Sequence, residues 1–357
     1  MSAMVDRLPL ILDVDTGIDD SLAILYACGS PEIELVGVTC IGGNVPARQV
    51  ADNTRSLLEL AGRGDVPVIR GADRPLVKPL ATAEDTHGPR GIGHAELPVP
   101  TRALATGDAA SWIVSAARRR PGKSNLVTLG PMTNLALALE REAPLPSLLG
   151  AWTFMGGAFG VPGNTTPTAE WNVYVDPDAA KRCLAAWATA ITADHRIPLP
   201  LGVGLDVTEL ARLLPGDVAR LARRAGAATV DATALAEGPA LMVPTGSVAA
   251  DSILRFVADA LRFYFEFHAR ADGFYGAFIH DPFAVAAAID RTLVTTQPTF
   301  VDVEAGPGLG HGMTVADRRG LLGRPANVDV ATAGHADAFL ERIVERIGGL
   351  AASLRPA

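Results

Sequence analysis

Residues 8–20 read LPLILDVDTGIDD, and this stretch determines the fold that we predict. The run Leu8–Val14 is short, apolar and followed by a turn that contains Gly17, which is typical of a strand buried on both faces. Asp19 then opens an Ala/Leu-rich segment that we predict to be helical as far as about Cys28. A buried strand followed directly by a helix indicates an α/β protein.

The alternation of strands and helices continues along the chain. We predict further strands at residues 33–40, 66–69, 125–129, 151–155, 190–193, 299–304 and 327–330. Helical patterns lie between most of them, at residues 45–61, 109–120, 133–141, 177–186, 253–268, 282–289 and 336–347. This order predicts an open, mostly parallel (mixed) central sheet flanked by helices, with ligands bound at the carboxyl ends of the strands. No linker stands out, so we expect a single domain over residues 1–357, in which residues 206–243 have no firm assignment.

Composition and charge favour an enzyme that acts on a small molecule. The chain of 357 residues is 48% hydrophobic, enough to bury a large core, and its net charge of −8 opposes binding to a nucleic-acid backbone. Cys28, Cys40 and Cys183 lie far apart, which indicates free thiols in a reducing compartment. We find neither a signal peptide nor an apolar run long enough for a membrane span, and therefore expect a cytoplasmic protein.

Four carboxylates within eight residues indicate a metal site at the end of the first strand. They are Asp13, Asp15, Asp19 and Asp20. Such groups repel each other unless protons or a cation neutralise them, and calcium accepts oxygen ligands in irregular geometry. Capping of the following helix would account for one or two of them. A further alternative is a haloacid-dehalogenase phosphatase, in which the first aspartate of Asp-x-Asp-x-Thr is the nucleophile.

A second polar cluster lies in residues 164–172, which read NTTPTAEWN and follow a strand and a Gly-Gly turn. Asn164, Glu170 and Asn172 offer amide and carboxylate groups of the kind that bind sugar hydroxyls. Polar loop residues are often simply solvated, so this cluster alone does not establish a sugar site.

A third element, FIHDP at residues 278–282, places a histidine beside a carboxylate just before a predicted helix. Asp281 has the position of a helix N-cap followed by Pro282. His280 is equally compatible with a buried structural histidine and with a catalytic one. The pattern therefore gains meaning only in combination with the other clusters.

Taken together, these elements resemble the inosine-uridine preferring nucleoside hydrolase family over about residues 8–317. The motifs occur in the family's order and spacing: Asp-x-Asp-x-Gly-x-Asp-Asp from Asp13, Gly43-Asn44, His87-Gly88, Met155-Gly156-Gly157, residues 164–172, and His280-Asp281-Pro282. One such motif would be weak evidence, but six in register are highly specific. The phosphatase alternative requires a later lysine and an acidic pair that we cannot place. The resemblance implies a Rossmann-like nucleoside hydrolase fold.

The resemblance implies that Asp15, Asp20 and Asp281 hold a calcium ion together with the backbone carbonyl of Leu129. The family often has threonine at this last position, a difference that a backbone ligand tolerates. Asp13 is adjacent and is expected to orient the cluster. The residues implied to bind the ribonucleoside substrate are Asp19, Asn44, Asn164, Glu170 and Asn172, with Met155 lining the pocket.

The reaction implied is hydrolysis of the N-glycosidic bond of a ribonucleoside to ribose and free base. Asp15 would take a proton from a calcium-bound water that attacks C1′ of the ribose. Bond cleavage leaves positive charge on the ribose and negative charge on the base. Carboxylates near the ribose and a proton donor near the base therefore stabilise the transition state. His280 is our candidate for protonating or polarising the base, and His87, in a loop over residues 71–104, is a second.

The base that the chain accepts is left open by the sequence. His280 resembles the pyrimidine-tolerant branch of the family, residues 263–278 are expected to contact the base, and neither Trp152 nor Trp171 is an obvious stacking platform. The resemblance also implies purine and pyrimidine salvage and a homodimer or homotetramer. Two alternatives stay open: a non-catalytic ribonucleoside-binding relative, and a hydrolase of another N-riboside.

Overall fold

A sheet of nine strands organises the chain in the computed structural model, which describes residues 7–227 and 247–354. In chain order the strands are β1 (Leu8–Val14), β2 (Ile33–Cys40), β3 (Val68–Arg70), β4 (Asn125–Thr128), β5 (Ala151–Met155), β6 (Leu201–Val203), β7 (Arg212–Leu213), β8 (Ala277–Phe278), β9 (Val294–Val303), β10 (Thr314–Asp317) and β11 (Val328–Gly334). The large sheet has the order β10-β9-β11-β6-β5-β4-β1-β2-β3, and β7 pairs with β8 separately. The predicted mixed sheet is confirmed.

The register of the central strands brings their carboxyl ends to one edge. Strand β1 pairs in parallel with β2 and β4, so that Val14 lies opposite Cys40 and Asp13 lies opposite Thr128. Strand β5 pairs in parallel with β4 and β6, whereas β9 runs antiparallel to both β11 and β10. The polar residues that follow β1, β2, β4 and β5 therefore meet at the same edge, where open parallel sheets bind ligands.

Helices cover the sheet, and every predicted helical segment overlaps one of them. They span Ile18–Cys28, Ala47–Leu60, Glu84–His87, Ala109–Arg119, Thr133–Arg141, Leu145–Leu148, Trp171–Val175, Pro177–Ala193, Leu205–Thr208, Pro215–Arg224, Val248–Ala271, Asp281–Ile289 and Ala336–Ser353, with a 3₁₀ turn at Arg291–Leu293. Within the described ranges, no helix combines the length and the apolarity that a membrane crossing requires.

The alternation of side chains along β1 explains why the chain needs helices on both faces of the sheet. Leu10, Leu12 and Val14 belong to one hydrophobic layer and Ile11 to the other, as the two-residue period of a strand requires. All four side chains are fully buried. The continuous apolar run that predicted a strand buried on both faces is thus accounted for.

The strand predicted at residues 190–193 is wrong. These residues form the last turn of the helix Pro177–Ala193, in which the hydroxyls of Thr189 and Thr192 donate to the carbonyls of Ala185 and Ala188. Threonine satisfies its hydroxyl on the preceding turn, which lets it remain helical despite its branched side chain. Among the strands that were not predicted is β6, in which nearby prolines and a central glycine weaken the strand pattern.

The unassigned stretch 206–243 contains short elements as far as residue 227. The helix Leu205–Thr208, strand β7 and the helix Pro215–Arg224 lie there, and residues 228–243 are outside the described part of the chain. Cys28, Cys40 and Cys183 are free thiols in the structure, as predicted.

Candidate active site

A cavity of about 490 Å³ opens at the carboxyl edge of the sheet. Asn44 follows β2, Leu129 follows β4 and Met155 ends β5, and all three line the cavity. Two further lining residues, Asp19 and Asp281, lie in the first turns of two helices. The cavity thus gathers side chains from five separate segments, which the parallel register holds together.

A cluster of buried carboxylates forms the floor of the cavity. Side-chain oxygens of Asp19, Asp20 and Asp281 lie within 4.8 Å of one another, and each residue is at least 95% buried. Asp19 and Asp20 belong to the first turn of the helix Ile18–Cys28, and Asp281 is the first residue of the helix Asp281–Ile289. Two helix N-termini, each with partial positive charge, therefore converge on the carboxylates.

Asp15 lies beside this group and is held by backbone contacts. Its Oδ2 accepts a hydrogen bond from the backbone N–H of Asn44 at 2.8 Å, while its own N–H donates to Oδ1 of Asp20 at 3.2 Å. Oδ1 of Asp15 is buried and has no hydrogen-bond partner within the described residues. A Cβ at Gly43 would lie 2.1 Å from Oδ2 of Asp15, so glycine at this turn allows the carboxylate its position.

The environment of the cluster disfavours four simultaneous negative charges. Burial, followed by the charge of Asp20, raises the pKa of Asp15 well above its ordinary value and that of Asp19 to about 8. Burial and then the charge of Asp19 likewise raise the pKa of Asp281. Among the described residues, no lysine or arginine lines the cavity. The cluster consequently requires protons or a metal cation, and an all-oxygen donor set fits calcium or magnesium better than zinc.

Asp13 supports the cluster from outside the cavity. Its Oδ1 accepts hydrogen bonds from the hydroxyl of Thr39 at 2.6 Å and from the side-chain amide of Asn134 at 2.8 Å. Burial raises its pKa to about 7. These contacts fix the end of β1, from which Asp15 projects.

Leu129 and Asn172 are joined across the cavity. The side-chain amide of Asn172 donates to the carbonyl oxygen of Leu129 at 2.5 Å and lies 3.4 Å from the sulfur of Met155. Because a carbonyl oxygen has two lone pairs, this bond leaves one of them for a cation. Asn172 and Met155 both line the cavity.

Glu170 organises the loop that carries Asn172. Its carboxylate accepts hydrogen bonds from the backbone N–H groups of Gly157 at 2.9 Å, Asn172 at 2.8 Å and Val173 at 3.1 Å. The side chain therefore caps the helix Trp171–Val175 and fastens it to the turn after β5. Asn164 lies exposed at the rim of the cavity, where its Oδ1 accepts from the backbone N–H of Trp171 at 3.0 Å.

Asn44 forms hydrogen bonds with both Asp15 and Asp20. Its side-chain amide donates to Oδ2 of Asp20 at 3.2 Å, and its own Oδ1 is buried without a partner in the described structure. The position at the cavity wall leaves this oxygen available to a hydroxyl donor.

His280 and His87 line the same cavity from different elements. Nδ1 of His280 lies 2.8 Å from the hydroxyl of Thr208, and Nδ1 of His87 accepts the backbone N–H of Ile18 at 3.1 Å. Burial lowers the pKa of each histidine to about 3, so both rings are neutral at neutral pH. His87 ends the short helix Glu84–His87, which gives the predicted 71–104 loop an anchored segment over the cavity.

The cavity is also lined by a group of aromatic residues that sequence reasoning did not resolve. Tyr264, Phe267, His268 and Phe278 line it together with Asp272. All five fall within or directly after the helix Val248–Ala271 or in β8, inside the 263–278 segment expected to contact the base. The helical spacing of Tyr264, His268 and Asp272 was the available signal, but it does not distinguish a cavity face from a core face.

The tryptophans occupy two different environments. Trp152 is buried in the core, where its ring centroid lies 4.5 Å from that of Trp187 and its indole N–H donates to Thr128. Trp171 lines the cavity, and its indole nitrogen is buried with no partner within the described residues. Tyr275 packs against Phe265 and does not line this cavity.

Comparisons with known proteins agree on one family. The family model described as inosine-uridine preferring nucleoside hydrolase matches residues 10–341. The chain is 34% identical over 341 residues to the pyrimidine-specific ribonucleoside hydrolase RihA of Salmonella arizonae, covering 95% of this chain and 98% of the relative. It is 33% identical to uridine nucleosidase 1 of Arabidopsis thaliana over 310 residues, which cover 87% of this chain and 82% of the relative.

A solved structure shares the whole architecture. The purine-preferring ribonucleoside hydrolase from Gardnerella vaginalis superimposes with a TM-score of 0.82 and 31% sequence identity. The match covers 97% of this chain and 99% of that chain. The likeness therefore extends over the sheet, its helices and the segments that surround the cavity.

Proposed function

This chain belongs to the inosine-uridine preferring nucleoside hydrolase family, and we propose that its cavity hydrolyses ribonucleosides to ribose and free base with the help of a calcium ion. The observation that carries the proposal is the polarity of the cavity. Its lining combines buried carboxylates with aromatic rings and neutral histidines and, in the described part of the chain, contains no lysine or arginine. A ribose with developing positive charge matches the carboxylates, and a flat base matches the rings.

The proposed calcium ligands are Asp15, Asp20, Asp281 and the carbonyl oxygen of Leu129. The unpartnered Oδ1 of Asp15 and the second lone pair of the Leu129 carbonyl support this set. Asp19 lies close enough to Asp20 and Asp281 to exchange with a ligand or to bind a ribose hydroxyl. When bound, calcium neutralises the carboxylates and orients the ribose diol and the attacking water.

Asp15 is proposed as the general base. The water oxygen forms a bond to C1′, the proton that it loses passes to Asp15, and the electron pair of the C1′–N bond remains on the base. The hydrogen bond from Asn44 to Oδ2 orients the carboxylate for this role.

His280 is proposed to stabilise the departing base. Its ring is neutral at neutral pH, and Nδ1 lies 2.8 Å from the Thr208 hydroxyl. When that hydroxyl donates to Nδ1, the ring proton lies on Nε2. Nε2–H then donates to the base as negative charge develops on it, and the released base takes its proton from solvent. A donor aimed at developing charge in a dry site is effective because it needs no reorganisation.

Ribose recognition is assigned to buried polar side chains that line the cavity, of which Asn44 has an unpartnered Oδ1. These side chains are Asp19, Asn44 and Asn172, with Glu170 holding the loop and Asn164 closing the rim. His87 is proposed to secure the 71–104 segment over the cavity rather than to transfer a proton, because its Nδ1 already accepts the Ile18 N–H.

A panel of nucleosides tests the proposal directly. Purified protein with calcium should release reducing sugar and free base in equal amounts from uridine, cytidine, inosine or adenosine. Of the relatives named above, the Salmonella protein is named as pyrimidine-specific and the Gardnerella protein as purine-preferring. Both classes of nucleoside therefore belong in the panel. Binding of nucleosides without any release of sugar would contradict the proposed reaction and favour a non-catalytic ribonucleoside-binding protein.

A further inference from the structure

Asn134 does not line the cavity, yet its side chain joins the segments at the ends of three strands. It is the second residue of the helix Thr133–Arg141, which begins shortly after β4, and it is buried. Its Nδ2 donates to Oδ1 of Asp13 in β1 at 2.8 Å and to the carbonyl oxygen of Cys40, the last residue of β2, at 3.2 Å. Its Oδ1 accepts the backbone N–H of Ala72, just after β3, at 3.0 Å. One side chain therefore holds the ends of three neighbouring strands.

The amide group of Asn134 is matched to this position. A primary amide has two N–H donors and a carbonyl acceptor, and both kinds of group are occupied here. A Cβ at Gly71 would lie 2.2 Å from Oδ1 of Asn134, so the chain passes this close to the amide only because residue 71 is glycine. Neither an ionised carboxylate nor an aliphatic side chain could form all three hydrogen bonds. The contact thus depends on the amide itself.

The strand ends that Asn134 holds carry the residues of the proposed site. Asp15 follows Asp13 by two residues, and the turn that contains Asn44 follows β2. The backbone N–H of Leu129, after β4, donates to the carbonyl oxygen of Asp13 at 2.8 Å. Because these groups come from separate segments, the distances between them depend on how the strand ends are aligned. A side chain that fixes several strand ends at once therefore also fixes the geometry of the site.

We propose that Asn134 is a positioning residue that aligns the ends of β1 and β2 and thereby preorganises Asp15 and the Leu129 carbonyl for calcium. This inference rests on the proposed function. Asn134 acts through Asp13, whose Oδ1 also accepts the hydroxyl of Thr39 at 2.6 Å. Since Asn134 does not line the cavity, it influences the metal and the substrate only through the residues that it holds.

The loss of this alignment should appear first in the affinity for calcium. Without the Asn134 amide the metal ligands are still present, but calcium binding has to order them, and the free energy of that ordering weakens binding. Replacement of a residue that orients metal ligands typically lowers metal affinity about 10–100-fold. Excess calcium should restore most of the activity of such a variant, whereas it cannot restore a variant that lacks the general base.

The experiment compares Asn134→Ala with Asn327→Ala, which is the matched control. Asn327 is also a buried asparagine, and its side-chain amide exchanges hydrogen bonds with the backbone of Val301 at 2.7 and 2.9 Å. It directly precedes β11, which runs parallel to β6, and so lies at the amino edge of the sheet, opposite the cavity.

Calorimetric titration of metal-free protein with calcium alone provides the measurement. The Kd for calcium should be about 10–100-fold higher in Asn134→Ala than in the wild-type protein. The Kd in Asn327→Ala should equal that of the wild type, although this variant loses a comparable set of buried hydrogen bonds. The calcium concentration that gives half-maximal release of ribose from uridine or inosine should shift in parallel with the Kd.

A second variant tests whether the effect passes through Asp13. Thr39→Val removes the hydroxyl that donates to Oδ1 of Asp13 and leaves Asn134 in place. Valine has nearly the shape of threonine, so this variant should fold even if Asn134→Ala does not. The Kd for calcium should rise in Thr39→Val as well, and excess calcium should again restore most of the activity.

The outcomes separate this inference from the proposed function. An unchanged Kd in both Asn134→Ala and Thr39→Val would overturn the positioning role and leave the hydrolase assignment intact. An equal rise in Asn134→Ala and Asn327→Ala would also overturn it, because the effect would then follow from general destabilisation. If Asn134→Ala does not fold, an unchanged Kd in Thr39→Val overturns the proposal, since the orientation of Asp13 would then not govern calcium affinity. Failure of the wild-type protein to bind calcium, or to release ribose from any nucleoside, would instead contradict the proposed function.

Discussion

The Asp15 carboxylate accepts the backbone N–H of Asn44 through Oδ2 at 2.8 Å and leaves Oδ1 buried with no partner in the described structure. The bond joins the ends of β1 and β2 and fixes the orientation of the carboxylate. The free oxygen is the one that a cation or an attacking water would contact. This asymmetry is the basis for assigning Asp15 both a metal contact and the role of base.

The variant Asp15→Asn should lose kcat on every riboside. An amide neither binds calcium as strongly as a carboxylate nor accepts a proton, so we expect a loss of at least about 10²–10⁴-fold on inosine or uridine and on a nitrophenyl riboside alike. Steady-state kinetics on both substrates measure it. Asp194→Asn, at an exposed pair with Arg196, is the control and should be neutral. Retention of activity on either substrate would remove Asp15 from the chemistry.

The variant His280→Ala should separate natural from activated substrates. Loss of a donor at the departing base costs about 10²–10³-fold in kcat on inosine or uridine. A nitrophenyl riboside leaves readily as its phenolate and should be hydrolysed at nearly the wild-type rate. Thr208→Val removes the hydroxyl at 2.8 Å from Nδ1 and should give a smaller loss with the same substrate pattern. Equal damage on both substrates would make His280 a structural or ribose-binding residue.

Discrimination against 2′-deoxyribose should be strong. Asp19, Asn172 and the metal address the ribose hydroxyls in a buried site, and a missing hydroxyl leaves their polar atoms unpaired. A site built around a hydroxyl can reject its absence by about 10⁴-fold. The ratio of kcat/KM for uridine and deoxyuridine measures this, or that for inosine and deoxyinosine. Comparable values would move recognition from the sugar to the base.

The stabilisation by calcium should grow as the pH rises. In the metal-free protein burial raises the pKa of Asp13 to about 7 and that of Asp19 to about 8, above the ordinary value of 3.8. The folded state then holds protons that the unfolded chain releases, so its stability is lost as the pH rises from about 4 through these values. Calcium binds the ionised cluster and offsets that loss.

Thermal unfolding of metal-stripped and calcium-loaded protein at pH 6, 7 and 8 provides the measurement. The difference in Tm should be smallest at pH 6 and largest at pH 8. In Asp19→Asn the pH dependence of the metal-free protein should be weaker, because one of the raised pKa values is gone. A Tm difference that does not change with pH would mean that the cluster is already ionised without metal.

Local patterns predicted most of the fold and the acidic part of the site. The segment from Asp13 to Asp20 could be interpreted because a strand, a turn and a helix beginning are contiguous, so the carboxylates must lie close together. The approach of Asp281 from a distant segment could not be worked out from its local sequence. It was supplied by the resemblance to a family, and in the structure its carboxylate lies beside those of Asp19 and Asp20.

The aromatic lining of the cavity could not be predicted residue by residue. His268 and Asp272 are spaced by four positions, as are many exposed pairs on helices, including Arg262 and Glu266. Their meaning depends on burial and on the rings of Phe274 and Phe278, which only the folded chain brings to them. The wrong prediction of a strand at residues 190–193 also depended on a contact that only the folded chain shows. The hydroxyl of Thr192 donates to a carbonyl of its own helix, and the spacing of apolar residues does not reveal such a bond.

Calcium dependence is tested most directly by returning metal to metal-free enzyme. Stripped protein should be inactive on inosine and uridine, and activity should return in proportion to added calcium, reaching its maximum at about one calcium per chain. Zinc should not replace it stoichiometrically, since the donor set consists of carboxylates and a carbonyl without cysteine. Full activity in metal-free protein, or one tightly bound zinc per chain, would contradict a calcium-dependent nucleoside hydrolase.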